Sequence, residues 1–183
     1  MRSFIFILFG FITLSFTPDK FVKVEVTEGI TVFLPADFIQ PPQEEINKRM
    51  QSPRIPLIFY TDPNNEVDFS VNMSYSLWAQ KDIEILRSFY RSTILSLYDE
   101  VNFIKDEIVE VDGRQYAEFE FESKVEDDEE SIIQKGPVRK YTLIRYTILK
   151  NNNTVLLNFT CPLYAEKKWN DTAREIMDKA VIK

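Results

Sequence analysis

The chain has 183 residues, 44% of them hydrophobic and 28% charged, which suits one folded core and does not suit a disordered polymer. Its 29 acidic residues outnumber 22 basic ones, so the footprint that phosphate backbones require is missing and nucleic acid is not an expected partner. There is no histidine. That excludes Ser-His-Asp and Cys-His catalysis and histidine-held zinc or haem, and four glycines leave no phosphate-cradling loop or dinucleotide fingerprint.

Residues 1–17 read as an export signal: Arg2 supplies positive charge, and Phe4 to Phe16 is apolar apart from Gly10, Thr13 and Ser15. Such a run spans about 20 Å as a helix, against roughly 30 Å of hydrocarbon, so a cleaved leader fits better than a membrane span. The remainder, residues 18–183, reads as a single α+β domain without a transmembrane segment, exported to the periplasm or beyond the cell.

Val22, Val24 and Val26 alternate with Lys23 and Glu25, and a turn at Thr27-Glu28-Gly29 leads into Ile30, Val32 and Leu34, which predicts a hairpin ending at Pro35. Gln43 to Gln51 suits a short exposed helix begun by Pro42, with Ile46 and Met50 as its one thin apolar stripe. Leu57 to Tyr60 is a short apolar run closed by Asp62-Pro63-Asn64-Asn65. Phe69, Val71, Met73 and Tyr75 alternate with Ser70, Asn72 and Ser74 as a half-exposed strand. From Asp82 to Tyr98 a main helix places Ile83, Leu86, Phe89, Tyr90, Ile94 and Leu97 on one broad stripe.

A strand around Ile104 to Val111 meets the next through Asp112-Gly113, a two-residue hairpin signal. A meander of three strands then runs from Arg114 to Cys161. In the first, Ala117, Phe119 and Phe121 share one face and Glu118, Glu120 and Glu122 the other, which reads as a half-buried strand with a wet carboxylate face. In the second, Ile144, Tyr146 and Ile148 oppose a mixed face of Tyr141, Leu143, Arg145 and Thr147. In the third, Val155, Leu157, Phe159 and Cys161 point one way. A closing helix from about Ala165 to Ala180 carries Trp169, Ala173, Ile176, Met177 and Ala180 on one side.

Carboxylate chemistry is what the composition leaves. Neighbouring glutamates on one strand face stand about 6.5 to 7 Å apart, which overlaps the spacing of glycosidase acid–base pairs. A solvated strand face explains the same pattern, and a hydrolase built on these glutamates stands as the alternative reading. The acidic run Glu126 to Glu130 lacks the spaced ligands and glycine of a calcium loop and reads as a solvated loop. Cys161 falls on an apolar strand face and reads as a core thiol.

The order of elements resembles the PsbP-like family, which includes the extrinsic photosystem subunit of that name, a Ran-binding nuclear transport factor and many secreted bacterial proteins. The residues that carry the resemblance are Gly29-Ile30-Thr31-Val32-Phe33-Leu34-Pro35 with Phe38, the mid-chain helix, Asp112-Gly113-Arg114 before Tyr116-Ala117-Glu118-Phe119, and Thr172 to Met177 in the closing helix. It implies a central antiparallel sheet flanked by helices and an accessory or binding role rather than an enzyme; separately, the residues lead us to expect no cofactor and no metal. A protein partner in the envelope is then expected. The segment Pro35 to Pro56 and the surroundings of Trp78 are where a site would collect, with Phe38, Trp78, Tyr141 and Leu143 as a binding surface. A structural subunit of an envelope complex would instead show an apolar patch over Tyr141, Leu143 and Leu149.

Overall fold

The computed structural model describes residues 20–50, 55–126 and 136–183. The export signal expected over 1–17 and the acidic residues 127–130 lie outside them.

The first hairpin forms as read, from β1 (Phe21–Thr27) and β2 (Ile30–Pro35), and turns at Gly29, whose φ of 91° is left-handed and favours glycine. A second sheet has six strands. These are β3 (Ile58–Thr61), β4 (Asp68–Tyr75), β5 (Glu100–Val111), β6 (Arg114–Val125), β7 (Val138–Ile148) and β8 (Asn153–Pro162). All its pairings are antiparallel, in the order β3-β4-β8-β7-β6-β5. The β5–β6 hairpin turns on Asp112 and Gly113 with φ of 52° and 75°, as a two-residue primed turn requires. The short α1 (Gln43–Arg49), the long α2 (Ile83–Leu97) and α3 (Glu166–Lys179) complete the frame. A two-residue β9 (Val181–Ile182), absent from the sequence reading, adds to β2 and makes the first hairpin a three-stranded sheet.

The six-stranded sheet is covered on both faces. On one side α3 packs over β7, β8 and β2, and its buried Trp169, Ala173, Ile176 and Met177 meet Val32 and Leu34 from the hairpin and Phe69, Leu157, Phe159 and Cys161 from the sheet. On the other side α2 lies over β5, β6 and β7, where Ile83, Leu86 and Ile94 meet Ala117, Phe119, Phe121, Ile144 and Tyr146. The stripe read for α2 is narrower in the structure, because Phe89 and Leu97 are 52% and 64% exposed. Likewise Met73 and Tyr75 run past the cover of the β4 face into solvent.

The largest correction concerns β6. Glu118 and Glu120 are not on a wet face; they are 2% and 0% exposed beneath α3, and only Glu122 is half-buried. The mixed face of β7 supplies the reason. Arg145, directly opposite Glu118 in register, donates from Nε to Glu118 Oε2 at 2.5 Å and from Nη2 to Asp178 of α3 at 2.7 Å. Arg174 of α3 donates to Glu120 Oε1 at 2.5 Å, and the Tyr141 hydroxyl donates to the same oxygen at 2.9 Å. Lys105 of β5 closes the cluster, 3.3 Å from Glu118 and 4.0 Å from Glu120.

A buried carboxylate is tolerable only when paired, and removing one partner of such a pair leaves an uncompensated charge. We therefore expect Arg145→Met to cost roughly 3–5 kcal/mol in urea unfolding, with Glu118→Gln added to it restoring part of that loss. A loss below about 1 kcal/mol would mean the pair behaves like an exposed one.

Candidate functional site

Because α2 stops over β7, the outer half of its sheet face forms the floor of a groove. Along that floor β4 presents Asp68, Ser70, Asn72 and Ser74, and β8 presents Thr160, Asn158, Leu156 and Thr154 in direct register with them. One wall is Arg49, Met50 and Ile55, at and after the end of α1. The other is aromatic: Tyr90 of α2 stacks on Tyr146 with ring centroids 3.8 Å apart, and Tyr98 follows at the end of the helix.

The groove divides into two clefts of about 300 Å³ and 410 Å³ that share Met50, Ser70 and Asn158. Among the described residues lining the smaller cleft, none is charged. The larger ends in Arg49, Asp68 and Lys140.

Those charges are organised. Arg49 donates to Asp68 Oδ1 at 2.8 Å and to Glu45 at 2.7 Å, so burial works against its charge but the two carboxylates overcome it and hold the guanidinium above its ordinary value. Asp68 is the converse. Burial pushes its carboxyl up, and Arg49 only partly offsets this. A raised carboxyl in a cleft with convergent polar groups is a functional-site signature. Burial also raises the phenols of Tyr98 and Tyr146. Most of the floor is bonded within the protein: the Thr142 and Thr160 hydroxyls lie 3.1 Å apart, Thr160 donates to the Tyr141 carbonyl at 3.1 Å, Thr154 donates to Ser76 at 3.0 Å and Asn72 donates to Ser70 at 3.3 Å, whereas the Asn158 amide has no side-chain hydrogen bond among the described residues.

A separate cleft of about 480 Å³ lies at the other end of the sheet, around the Asp112-Gly113 turn. Its Arg114 is spent on structure, donating to the Ile182 and Ile148 carbonyls at 3.1 Å and 3.4 Å, which ties the C-terminal strand to the hairpin.

Of the four positions read as a binding surface, Tyr141 and Leu143 are fully buried under α3, and Phe38 is 8% exposed with its ring edge-on to Trp169 at 5.8 Å. The apolar patch envisaged there is core. Trp78 alone is half-exposed, 5.2 Å from Phe89 and 6.0 Å from the groove's Tyr90. Glu118 and Glu120, the candidate hydrolase carboxylates, line none of these three clefts. Burial pushes the Cys161 thiol up to about 12. The groove residues were read only as the polar side of half-exposed strands; the signal available was that β4 and β8 both put Ser, Thr and Asn on alternate positions.

A solved structure of cyanobacterial PsbP from Synechocystis sp. PCC 6803 superposes with a TM-score of 0.64 at 14% identity, over 92% of this chain and 96% of that one. The chain has a PsbP-like fold. Other structures of the PsbP-like shape agree: LpqN, involved in cell envelope biogenesis of Mycobacterium tuberculosis, has a TM-score of 0.57 at 12% identity over 84% of this chain and 83% of its own. The Saccharomyces cerevisiae Ran-binding protein Mog1p has a TM-score of 0.55 at 12% identity over 88% of this chain and 95% of its own. No family model matches the sequence, and no curated protein matches it. On this PsbP-like frame no group of three or more Cys, Asp or Glu among the described residues is placed to hold a metal ion.

Asp68 gives the groove a pH signature. Its folded-state pKa lies above the ordinary 3.8, so between those two values the folded protein binds more protons than the unfolded one and this residue's contribution to stability falls as pH rises. The stability difference between Asp68→Asn and the parent protein, from urea midpoints across the weakly acidic range, should therefore shift in favour of the variant with rising pH. A flat or opposite slope would contradict the assignment.

Proposed function

We propose that this is an exported, non-catalytic binding or accessory protein of the bacterial cell envelope, and that the groove over β4 and β8 is where it holds its ligand or partner. The observation that carries the reading is a half-covered sheet face, walled by α1 and α2, on which the half-buried Asn158 amide makes no side-chain hydrogen bond among the described residues and the Arg49–Asp68 pair closes one end. Reactivity is correspondingly poor: the chain has no histidine, its one thiol is buried, and the buried carboxylates of Glu118 and Glu120 are held by arginines. The PsbP-like neighbours named for envelope biogenesis and Ran binding support a binding role on this frame. Export is supported by the charged and apolar pattern of residues 1–17, and among the described residues no helix is long and apolar enough to cross a membrane.

The test uses the C-terminally tagged full chain expressed in its source cell and captured from the envelope fraction at low and high salt. Specific, saturable retention of an envelope component, lost when Asn158→Arg fills the groove, is the expected result. No specific retention, or equal retention by the variant, would contradict it.

A further inference from the structure

We infer that the free edge of β1 is a self-association surface, on which a second copy of this chain adds its own β1 antiparallel about a two-fold axis at Val24. The surface is separate from the groove and shares no residue with it. β1 ends the three-stranded sheet, and among the described residues nothing pairs with its outer side. The other strand edges are short or closed. β9 has two residues; β3 has four, and its Thr61 exchanges two 2.9 Å hydrogen bonds with Ile39. β5 is interrupted by a bulge between Phe103 and Lys105, and its Asp106 carbonyl accepts from Arg87 Nη2 at 2.7 Å.

The β1–β2 ladder fixes which groups the edge offers. Ala36 donates to the Lys20 carbonyl at 3.1 Å, so Lys20 turns its backbone towards β2. Antiparallel pairing alternates, so Val22 and Val24 also bond to β2, while Phe21, Lys23 and Glu25 aim N–H and C=O outward. A second β1 centred on Val24 sets Lys23 opposite Glu25 of the second copy, and Glu25 opposite its Lys23. Both are outward-bonding residues, so the backbone hydrogen bonds and two charge pairs fall in one register. Moving the axis to Lys23 or Glu25 would put that residue opposite itself, like charge on like. An edge lysine ordinarily repels an incoming strand; Glu25, which now accepts from Lys23 of its own strand at 2.8 Å, turns that guard into a complement.

The apolar row agrees. Val22 and Val24 lie opposite the buried Leu34 and Val32, on the core face, yet Val22 is 44% exposed and Val24 and Val26 are half-buried. Two-fold pairing lays Val24 on Val24 of the second copy and Val22 beside its Val26, so the row covers itself.

Sedimentation equilibrium of the purified full chain tests this. A pair of seven-residue strands is a small interface, so a dimer should appear at protein concentrations on the order of 100 µM. Lys23→Glu and Glu25→Lys should each weaken it about tenfold or more, with urea midpoints near that of the parent because both side chains are exposed. An equimolar mixture of the two variants should restore the dimer, since each chain then carries the charge the other lacks. A chain that stays monomeric at millimolar concentration, a dimer that tolerates both substitutions, or a mixture that associates no better than either variant alone would overturn the inference.

Discussion

Two glutamates on β6 that point inward constrain the rest of this structure. Glu118 and Glu120 lie beneath α3, and they are tolerated there only because Arg145, Arg174, Tyr141 and Lys105 converge on them from β7, α3 and β5. The consequence is positional. Glu118 sits opposite Arg145 in the β6–β7 ladder, and a slip of one residue would turn both carboxylates toward Ile83 and Leu86 and bring Phe119 under the arginines. The cluster also links α3 to the sheet at two points, Arg174 and Asp178, four residues apart on one helix face. An apolar interface of the same shape would fix neither register nor helix rotation so narrowly.

That arrangement divides the two faces of the sheet by role. The α3 side is closed, with the hairpin, the C-terminal strand and the ion cluster all committed to holding it shut. The α2 side is closed only over β5, β6 and β7, because one helix of 15 residues cannot span six strands. What remains is a strip of β4 and β8 with walls from α1 and α2. Its Ser, Thr and Asn side chains are the polar half of strands whose apolar half is core, so the frame that stabilises the protein also presents the groove.

Much of the fold was legible in the chain. The valine alternation before Gly29, the Asp112-Gly113 turn and the spacing of Trp169, Ala173, Ile176 and Met177 each report a local geometry that tertiary packing did not override. The faces of β6 were less legible, because alternation separates two faces without saying whether each is covered. The complementary charges that would have told are far away in sequence, at Arg145, Arg174 and Asp178. For the same reason Tyr141 and Leu143 could be taken for surface, while α2 looked broader than it is: Phe89 and Leu97 satisfy the helical period but lie beyond the sheet. The groove was faint, since a polar strand face reads as solvated whether it faces bulk water or a cleft.

The central claim, that the glutamate strand is core and not surface, is tested most directly by native-state hydrogen exchange at the backbone amides of β6 and β7. Amides from Glu118 to Phe121 and from Leu143 to Tyr146 should exchange only through global unfolding, with a free energy matching that from denaturant. Exchange at those positions as fast as at the exposed Asp112-Gly113 turn would contradict the account.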